Sequence, residues 1–262
     1  MNRSARHAAI LELLADSGRV EVEDIVAQLG VSPATARRDL DALAERQLLS
    51  RTHGGAVAHS VAYDLPLRYK RSQHADAKDA IARAASGMVP RGATVGICGG
   101  TTTTALAEAL TMRADVQEAS AEPGLTMVTN SVNIAMGLAP REQIKTVLTG
   151  GVLHPRSYEA VGNFADAVLN AMTLDFAFIG VVGIDPVLGA TGHDEREAVV
   201  NRAMATRAQT AVIVADSSKI GERAFAVIGG PELFHTVITD SGATVEQVSS
   251  LEAAGYRVIV AE

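Results

Sequence analysis

The run Gly30–Leu43, GVSPATARRDLDAL, carries side chains whose types and spacing suit contact with DNA. Ser32 is a good helix N-cap, because its hydroxyl can accept a hydrogen bond from a free backbone N–H of the first turn. At about 100° per residue, Thr35, Arg37 and Arg38 fall on the polar side of this helix. The apolar side consists of Ala36, Leu40 and Leu43. Such a helix docks through its apolar side, and its arginines can reach phosphate oxygens or guanine edges.

Taken alone, this pattern also fits a solvated helix face with ordinary charges, but the flanking sequence favours DNA binding. Glu23–Leu29 predicts a preceding helix, and Gly30 permits the tight turn that a helix-turn-helix motif requires. Residues 47–57 then predict two short strands that form a wing. Arg51 and His53 of this wing could contact backbone phosphates or the minor groove, and His53 could equally pack on its own domain.

A second group of chemically capable residues follows predicted strands in the rest of the chain. Residues 99–104 read GGTTTT; the glycines allow close approach of a ligand, and the hydroxyls with free helix N–H groups suit a phosphate. The run is neither a Walker loop, since no lysine follows, nor a GxGxxG motif. Similar clusters at 129–131, 150–151 and 183–185 could each be an ordinary turn. The ligand candidates in and beside these clusters are Cys98, Gly99, Gly100, Thr101, Thr102, Thr129, Asn130, Ser131, Gly150, Gly151 and Asp185.

Two charged residues complete the candidate ligand site. Glu197 lies in the first turn of a predicted helix, where the helix dipole favours a carboxylate whatever its function. Lys219 follows an apolar strand and is one of four lysines, against 19 arginines. A single ammonium group in that place suits a phosphate, hydroxyl or carbonyl oxygen, although a surface salt bridge would also explain it.

The elements that must position these residues alternate between strands and helices from Ala93 onward. The predicted strands are Thr94–Cys98, Leu125–Thr129, Ile144–Leu148, Phe176–Val182, Ala211–Ala215, Thr236–Thr239 and Arg257–Val260. This alternation predicts an α/β domain with a mostly parallel sheet and helices on both faces. Such sheets bind ligands at the carboxyl ends of their strands, so the polar clusters should converge on one edge.

The bulk composition limits the class of protein. With 262 residues the chain is long enough for two domains, and 47% hydrophobic with 20% charged residues is typical of a globular protein. Residues 1–9 lack the apolar core of a signal peptide, and Phe176–Gly183 is too short to span a bilayer. Cys98 is the single cysteine, which suits a reducing compartment. We therefore expect a cytoplasmic protein without membrane contact, metal or cofactor.

The charge distribution places a condition on any DNA contact. The net charge is −7, and residues 1–57 hold 7 basic and 8 acidic side chains. Global attraction to DNA is therefore excluded, and this argues modestly against nucleic-acid binding. Contact with DNA would have to come from locally clustered arginines.

The quoted motifs resemble one family over most of the chain. The run VEVEDIVAQLGVSPATARRDLDALAERQLLSRTHGGAV resembles the N-terminal winged helix-turn-helix of DeoR-family bacterial repressors. The blocks CGGTTTTALAEAL, VTNSVNIA, LTGGVLHPRSYEAVG, DFAFIGVVGID, DEREAVVNRAM and VIVADSSKIG resemble the sugar-phosphate-binding domain of that family, which is similar to ribose-5-phosphate isomerase. The sequence departs from the family pattern at Gln47, commonly Gly, at Cys98, commonly acidic, and at Asn201, often Lys.

The resemblance implies a domain arrangement and a set of ligand contacts. A winged helix-turn-helix domain is expected at 1–57, a linker at 58–75 and a sugar-phosphate effector domain at 76–262. The Gly-Thr loop and the turn at 129–131 would hold phosphate, with Asp185, Glu197 and Lys219 near the sugar.

The function that follows is a repressor of a carbohydrate operon, which binds double-stranded operator DNA and is released by a phosphorylated sugar. A dimer or tetramer is expected, because paired recognition helices usually read two half-sites. The alternative is a sugar-phosphate isomerase or deaminase that carries a DNA-binding domain, with Glu197 and Lys219 as an acid/base pair. An activator would use the same DNA-binding module, so the sequence does not separate it from a repressor.

Overall fold

The computed structural model describes residues 3–17, 19–45, 49–57 and 74–262. The chain divides into a first unit, Met1–Gln73, and a second unit, His74–Glu262. The predicted linker at 58–75 lies outside the described residues except for its last two positions, and so does Gln47. Each unit is described here by itself.

The first unit is a winged helix-turn-helix, as predicted. Its elements are α1 (Arg3–Ser17), β1 (Arg19–Glu21), α2 (Val22–Leu29), α3 (Pro33–Glu45), β2 (Ser50–Arg51) and β3 (Gly55–Val57). The strands form an antiparallel sheet in the order β1-β3-β2. The apolar repeats of the helices meet in one core, which includes Ile10, Leu11, Leu14, Ile25, Ala36, Leu40 and Leu43.

The turn between α2 and α3 has the predicted local chemistry. Gly30 ends α2 in the left-handed region with φ +63°, and its N–H donates to the carbonyl of Val26. The Ser32 hydroxyl accepts a hydrogen bond of 3.2 Å from the backbone N–H of Thr35, so Ser32 caps α3. These contacts set the start of the candidate recognition helix.

A buried ion-pair cluster holds α3 against α1. Asp39 of α3 is 3% exposed; it accepts hydrogen bonds of 2.8 Å from Arg6 Nε and 3.0 Å from His7 Nε2, with that ring nitrogen protonated. Burial by itself raises the pKa of the Asp39 carboxyl, but the hydrogen bonds from Arg6 and His7 outweigh it and hold this pKa below its usual value. The sequence analysis assigned no role to Asp39.

The second unit is built on seven parallel strands, which confirms the predicted α/β architecture. The strands of this sheet are β4 (Thr94–Ile97), β5 (Leu125–Thr129), β6 (Ile144–Leu148), β9 (Leu174–Gly180), β12 (Ala208–Val214), β14 (Thr236–Asp240) and β15 (Arg257–Ala261). The helices are α4 (Ala75–Gly87), α5 (Thr101–Met112), α6 (Ala114–Gln117), α7 (Val132–Leu138), α8 (Phe164–Leu169), α9 (Glu195–Thr206) and α10 (Val245–Ala253).

The strand order contains one reversal of direction. The order is β15-β14-β12-β9-β4-β5-β6. From β4 the chain adds β5 and β6 on one side; it then returns to β9, beside β4, and adds β12, β14 and β15 on the other side. The reversal between β4 and β9 is a topological switch point, the place where open parallel sheets bind ligands.

Both faces of the sheet are buried. Along β9, Phe178 belongs to one core layer, whereas Ala177 and Ile179 belong to the other, and in β12 Val212 and Ile213 divide in the same way. Strands buried on both faces read as continuous apolar runs. This explains why the sheet was predictable from the sequence. No described helix is both long and apolar enough to cross a membrane.

Several short elements were not predicted. They are the hairpin β7 (Val152–Leu153) with β8 (Ala160–Val161), and a small sheet of β10 (Gly183–Asp185), β11 (Gly189–Gly192) and β13 (Ala226–Gly229). Strands of two to four residues are too short to show an alternating pattern, and the glycines in three of them indicate turns when read locally.

Asp39→Asn tests whether the buried carboxylate anchors α3 to α1. The substitution keeps the size of the side chain and removes the charge that Arg6 and His7 contact. We expect the free energy of opening of α1 and α3 to fall by about 2 kcal/mol, since hydrogen bonds to charged groups contribute about 1.5–3 kcal/mol. Hydrogen exchange of the full chain, read by peptide mass spectrometry, should be about thirtyfold faster in these helices.

Asp41→Asn is the matched control for this experiment. Asp41 pairs with Arg51 at 2.7 Å with its side chain 59% exposed, and such surface pairs contribute about 1 kcal/mol or less. The pKa of Asp39 is lower in the folded protein than in the unfolded chain. The stability that this carboxylate contributes is therefore complete above about pH 4 and is lost as the pH falls through the folded-state pKa. Equal losses of protection in the two variants would contradict the anchoring role.

Candidate functional site

The exposed side of α3 presents two arginines. Arg37 and Arg38 are exposed, whereas Ala36 and Leu40 on the other side of the helix are 0% exposed. Neither arginine forms an ion pair within the described parts of the chain. Thr35 is half-buried, and its hydroxyl lies 2.9 Å from that of Ser32. The two guanidinium groups are thus exposed on a helix whose opposite side packs in the core of the first unit.

The wing is tied to the recognition helix. Arg51 Nε donates to Asp41 Oδ1 at 2.7 Å, and another nitrogen of the same guanidinium donates to the carbonyl of Gly55. His53 is exposed in the turn between β2 and β3. Arg51 therefore positions the wing against α3, and His53 is the more accessible of the two predicted wing contacts.

In the second unit, Cys98 joins the two strands at the switch point. It is fully buried, and its Sγ accepts the N–H of Gly180 at 3.2 Å, across the gap between the ends of β4 and β9. Burial raises the pKa of the Cys98 thiol well above its ordinary value, and the nearby carboxylates of Glu159 and Glu197 raise it further. Cys98 is therefore a protonated strand-end thiol, and Glu159 and Glu197 lie near it. We call this region, the carboxyl ends of β4, β5 and β9, the switch-point edge.

The space beside Gly99 is filled by another residue of the chain. A Cβ at position 99 would lie 2.4 Å from both Cγ and Oε1 of Glu159, whose side chain takes the place of the missing one. The glycine pair predicts the close approach of a ligand. In the structure the side chain of Glu159, which is 5% exposed, occupies the space beside Gly99.

Helix α5 begins directly after this glycine pair. Gly100 has φ +129°, and its carbonyl accepts the hydroxyls of Thr103 at 3.0 Å and Thr104 at 2.6 Å. The hydroxyls of Thr101 and Thr102 make no hydrogen bond with the described residues. The first turn of α5 thus offers two hydroxyls and free backbone N–H groups at the switch-point edge.

The turn after β5 brings an amide to Glu159. Asn130 is fully buried, and its Nδ2 donates to Glu159 Oε2 at 2.8 Å. The hydroxyls on either side serve the turn itself: Thr129 Oγ1 accepts the N–H of Ser131, and the Ser131 hydroxyl donates to Asn133. Of the predicted group 129–131, only Asn130 has its side chain on Glu159.

The glycines after β6 allow a hairpin to approach. Gly150 and Gly151 have φ +76° and +139°, and a Cβ at position 151 would lie 2.7 Å from the backbone oxygen of Val161. Gly151 therefore makes room for β8. The sequence analysis assigned both glycines to a ligand, and for Gly150 that role stays a prediction.

The connection between β7 and β8, which we call the hairpin segment (His154–Glu159), was missed by the sequence analysis. The N–H of Ala160 donates to the carbonyl of Asn130 at 2.7 Å, so the end of the segment joins the turn after β5. The Ser157 hydroxyl donates to Glu197 Oε1 at 2.5 Å, and His154 Nδ1 lies 3.2 Å from the same oxygen. The available signal was the sequence HPRSYE, in which three chemically capable residues follow two glycines.

The remaining predicted residues lie apart from this group. Asp185 Oδ1 accepts the N–H groups of Val187 and Leu188, and Oδ2 accepts Arg223 Nε at 2.7 Å. The Leu188 N–H first, and then the Arg223 guanidinium, hold the pKa of the Asp185 carboxyl below its usual value. Asp185 thus stabilises the small sheet. Lys219 ends a 3-10 turn after β12, is half-buried, and forms no ion pair with any described residue.

The residues that the structure brings together are Cys98, Gly99, Asn130, Glu159, Ser157, His154 and Glu197. Two carboxyl groups, Glu159 and Glu197, accept hydrogen bonds from Asn130 and Ser157 in this group, and the start of α5 follows Gly99 and Gly100. Among the described residues, no group of His, Cys, Asp or Glu has the arrangement of a metal site.

Two known domains match the chain. Residues 6–61 match the DeoR-like helix-turn-helix domain, and residues 73–241 match the DeoR C terminal sensor domain. The two matches follow one another in the order of the two units.

Several relatives align with this chain along most of their length. The glycerol-3-phosphate regulon repressor of Escherichia coli K12 is 33% identical over 241 residues, which cover 92% of this chain and 92% of that protein. The HTH-type transcriptional regulator GlpR of Haloferax volcanii is 34% identical and covers 97% and 96% of the two chains. The HTH-type transcriptional repressor GlcR of Bacillus subtilis is 31% identical and covers 100% and 98%. Ribose 5-phosphate isomerase A of Methanocaldococcus jannaschii superposes with a TM-score of 0.42 and 18% identity over 56% of this chain and 55% of that one, a likeness too distant for any argument.

Gly99→Ala tests the packing of Glu159. The added methyl group would lie 2.4 Å from Glu159 and must force it away from Asn130. We expect the free energy of unfolding of the second unit to fall by about 1–3 kcal/mol, the usual cost of overpacking. A double-mutant cycle measures the coupling between the two positions. It compares the thermal unfolding of the wild type, Gly99→Ala, Glu159→Ala and the double variant.

Gly137→Ala in α7 is the control, because a Cβ there meets nothing within 4 Å and should leave stability equal or slightly higher. In the cycle, the double variant should be more stable than the sum of the single losses predicts. Simple additivity would show that the two side chains do not compete for one space.

Proposed function

The chain belongs to the DeoR family of transcriptional regulators, and from this membership we propose that it represses a carbohydrate-metabolism operon in the cytoplasm until a phosphorylated sugar releases it from operator DNA. The family predicted from the sequence is confirmed. The observation that carries the proposal is the match of both units, in order, to a helix-turn-helix domain and a sensor domain. One of the relatives, the Escherichia coli K12 protein, is named as a glycerol-3-phosphate regulon repressor.

For the DNA-binding step we propose that Arg37 and Arg38 contact bases or phosphates in the major groove. They are exposed on α3, whose other side is held by a buried core and by Asp39. The sugar-phosphate backbone of the DNA on either side would be contacted by Ser32, Thr35, Arg51 and His53. A homodimer or tetramer would present two such helices to two half-sites about one helical turn, or a multiple of it, apart.

For the ligand step we propose that the start of α5 receives the phosphate. Free N–H groups at a helix start and the hydroxyls of Thr101 and Thr102 suit an oxyanion. Lys219, in the 3-10 turn after β12, would contribute a cation.

We propose that the site binds without catalysis. An isomerase would need an acid and a base free to exchange protons with the substrate. Of the expected pair, Glu197 accepts a hydrogen bond from Ser157, and Lys219 lies in the 3-10 turn after β12. The match to the DeoR C terminal sensor domain supports a sensor over the alternative enzyme. Incubation with aldose and ketose phosphates, followed by chromatography, would detect turnover if the alternative were correct.

Arg38→Ala should weaken operator binding about ten- to a hundredfold, the effect of a lost bidentate contact of about 1–3 kcal/mol. The probe is a duplex selected from a random library by the wild-type protein, and anisotropy at fixed salt gives the Kd. The matched control is Arg19→Ala, because Arg19 is also exposed but pairs with Glu21 in β1. Unchanged affinity of the Arg38 variant would refute its role in DNA contact.

Lys219→Ala should leave operator affinity unchanged and raise the concentration of phosphorylated sugar needed for release about ten- to a hundredfold. The reason is that the ligand loses one charged contact of about 1.5–3 kcal/mol. A ligand that binds more weakly shifts less of the protein from the DNA-bound to the DNA-free state at a given concentration. The inducer is the compound that raises Tm in a panel of hexose, pentose and glycerol phosphates. Lys145→Ala, an exposed lysine of β6, is the control. Identical release curves for Lys219→Ala and the wild type would remove Lys219 from the site.

A further inference from the structure

The switch-point edge contains a buried acceptor that lacks a donor. Asn130 is 0% exposed, and its Oδ1 has no hydrogen-bond partner among the described residues, although its Nδ2 donates to Glu159 at 2.8 Å. The orientation of this amide follows from chemistry, because an ionised carboxylate can only accept hydrogen bonds and must therefore meet the NH₂ group. A buried acceptor without a donor is costly, so the amide oxygen favours a ligand that brings a donor.

Glu159 places a negative charge beside this amide. Its side chain fills the space over Gly99, next to the first turn of α5, and it influences the Cys98 thiol electrostatically. Glu197 of α9 also influences the Cys98 thiol electrostatically, and it accepts a hydrogen bond from the Ser157 hydroxyl. A carboxylate accepts hydrogen bonds from hydroxyl or amino groups and repels other anions.

These observations divide the edge into two chemically different parts. The start of α5 offers N–H groups and the hydroxyls of Thr101 and Thr102, which suit one anion. In the other part, Asn130 offers a ligand its amide oxygen, and the Glu159 carboxyl group lies beside this amide. A molecule that fits both parts carries one phosphate and, next to it, groups that donate hydrogen bonds.

We propose that Glu159, together with Asn130, determines the specificity of the ligand site by selecting the hydroxyl-bearing part of the effector and rejecting compounds with a second anionic group. This inference rests on the proposed function, since it assumes a phosphorylated sugar at the same edge. The ligand class is a phosphorylated polyol or neutral sugar, and the rejected class comprises phosphorylated sugar acids and bisphosphates.

The test compares ligands that differ only at one terminal carbon. Sorbitol 6-phosphate and 6-phosphogluconate form a six-carbon pair, and glycerol 3-phosphate and 3-phosphoglycerate form a three-carbon pair; in each, a CH₂OH group is replaced by a carboxylate. Calorimetry on the full-length wild-type protein should show preference for the hydroxyl form by about tenfold or more in the pair that binds. Glu159→Gln keeps the side chain's shape and an acceptor for Asn130, and it should reduce this preference to within about threefold.

The control is Ser157→Ala, which loosens the hairpin segment at Glu197 and leaves the Glu159 charge in place. A purely structural role of the segment would lower both affinities together in both variants, whereas the proposed role changes the ratio in Glu159→Gln alone. An unchanged ratio in Glu159→Gln, or a wild-type preference for the carboxylate form, overturns the inference while the sugar-phosphate function stands. Free sugars are titrated for comparison. If none of the phosphorylated compounds binds, both the proposed function and this inference are overturned.

Discussion

The switch-point edge of the second unit depends on the packing of Glu159 against Gly99. The carboxylate side chain occupies the space of a missing Cβ and receives the amide of Asn130 at 2.8 Å. This contact joins three parts of the chain: the end of β4, the turn after β5 and the end of the hairpin segment. Ser157 extends the connection to Glu197 in α9. A larger residue at position 99 would disturb all of these at once, since protein interiors transmit volume changes to their neighbours.

A buried carboxylate plays a comparable part in the first unit. Asp39 receives Arg6 and His7 and fixes the buried side of α3, so that Arg37 and Arg38 project from a defined position. In both units a buried carboxyl group accepts hydrogen bonds from side chains of other elements and so fixes the local geometry. Preorganised contacts of this kind reduce the ordering cost of binding.

The hydrogen bonds of the acidic side chains in the second unit bear on the proposal that this unit is a sensor. The switch point lies where parallel sheets generally hold ligands. The carboxyl groups near it accept hydrogen bonds from neighbours: Glu159 from Asn130 and Glu197 from Ser157. Groups held in this way can accept hydrogen bonds from a ligand's hydroxyl groups. Function has to be argued from such side chains, because one fold supports many functions.

The sequence by itself determined the periodic features, because burial repeats every 3.6 residues in a helix and gives continuous apolar runs in a two-sided sheet. The apolar side of α3, the cap at Ser32 and the bounds of Leu125–Thr129 all followed from local pattern. Three of the predicted polar clusters, at 99–104, 129–131 and 150–151, follow the adjacent parallel strands β4, β5 and β6, whereas Asp185 lies in the small sheet. Only the tertiary structure decided which polar groups meet there. Glu159 lies 29 residues from Asn130, and Ser157 lies 40 from Glu197. No local pattern encodes such pairs, since strand order and a hairpin with two-residue strands bring them together. A glycine that admits a ligand and one that admits a side chain, such as Gly99, are identical in sequence.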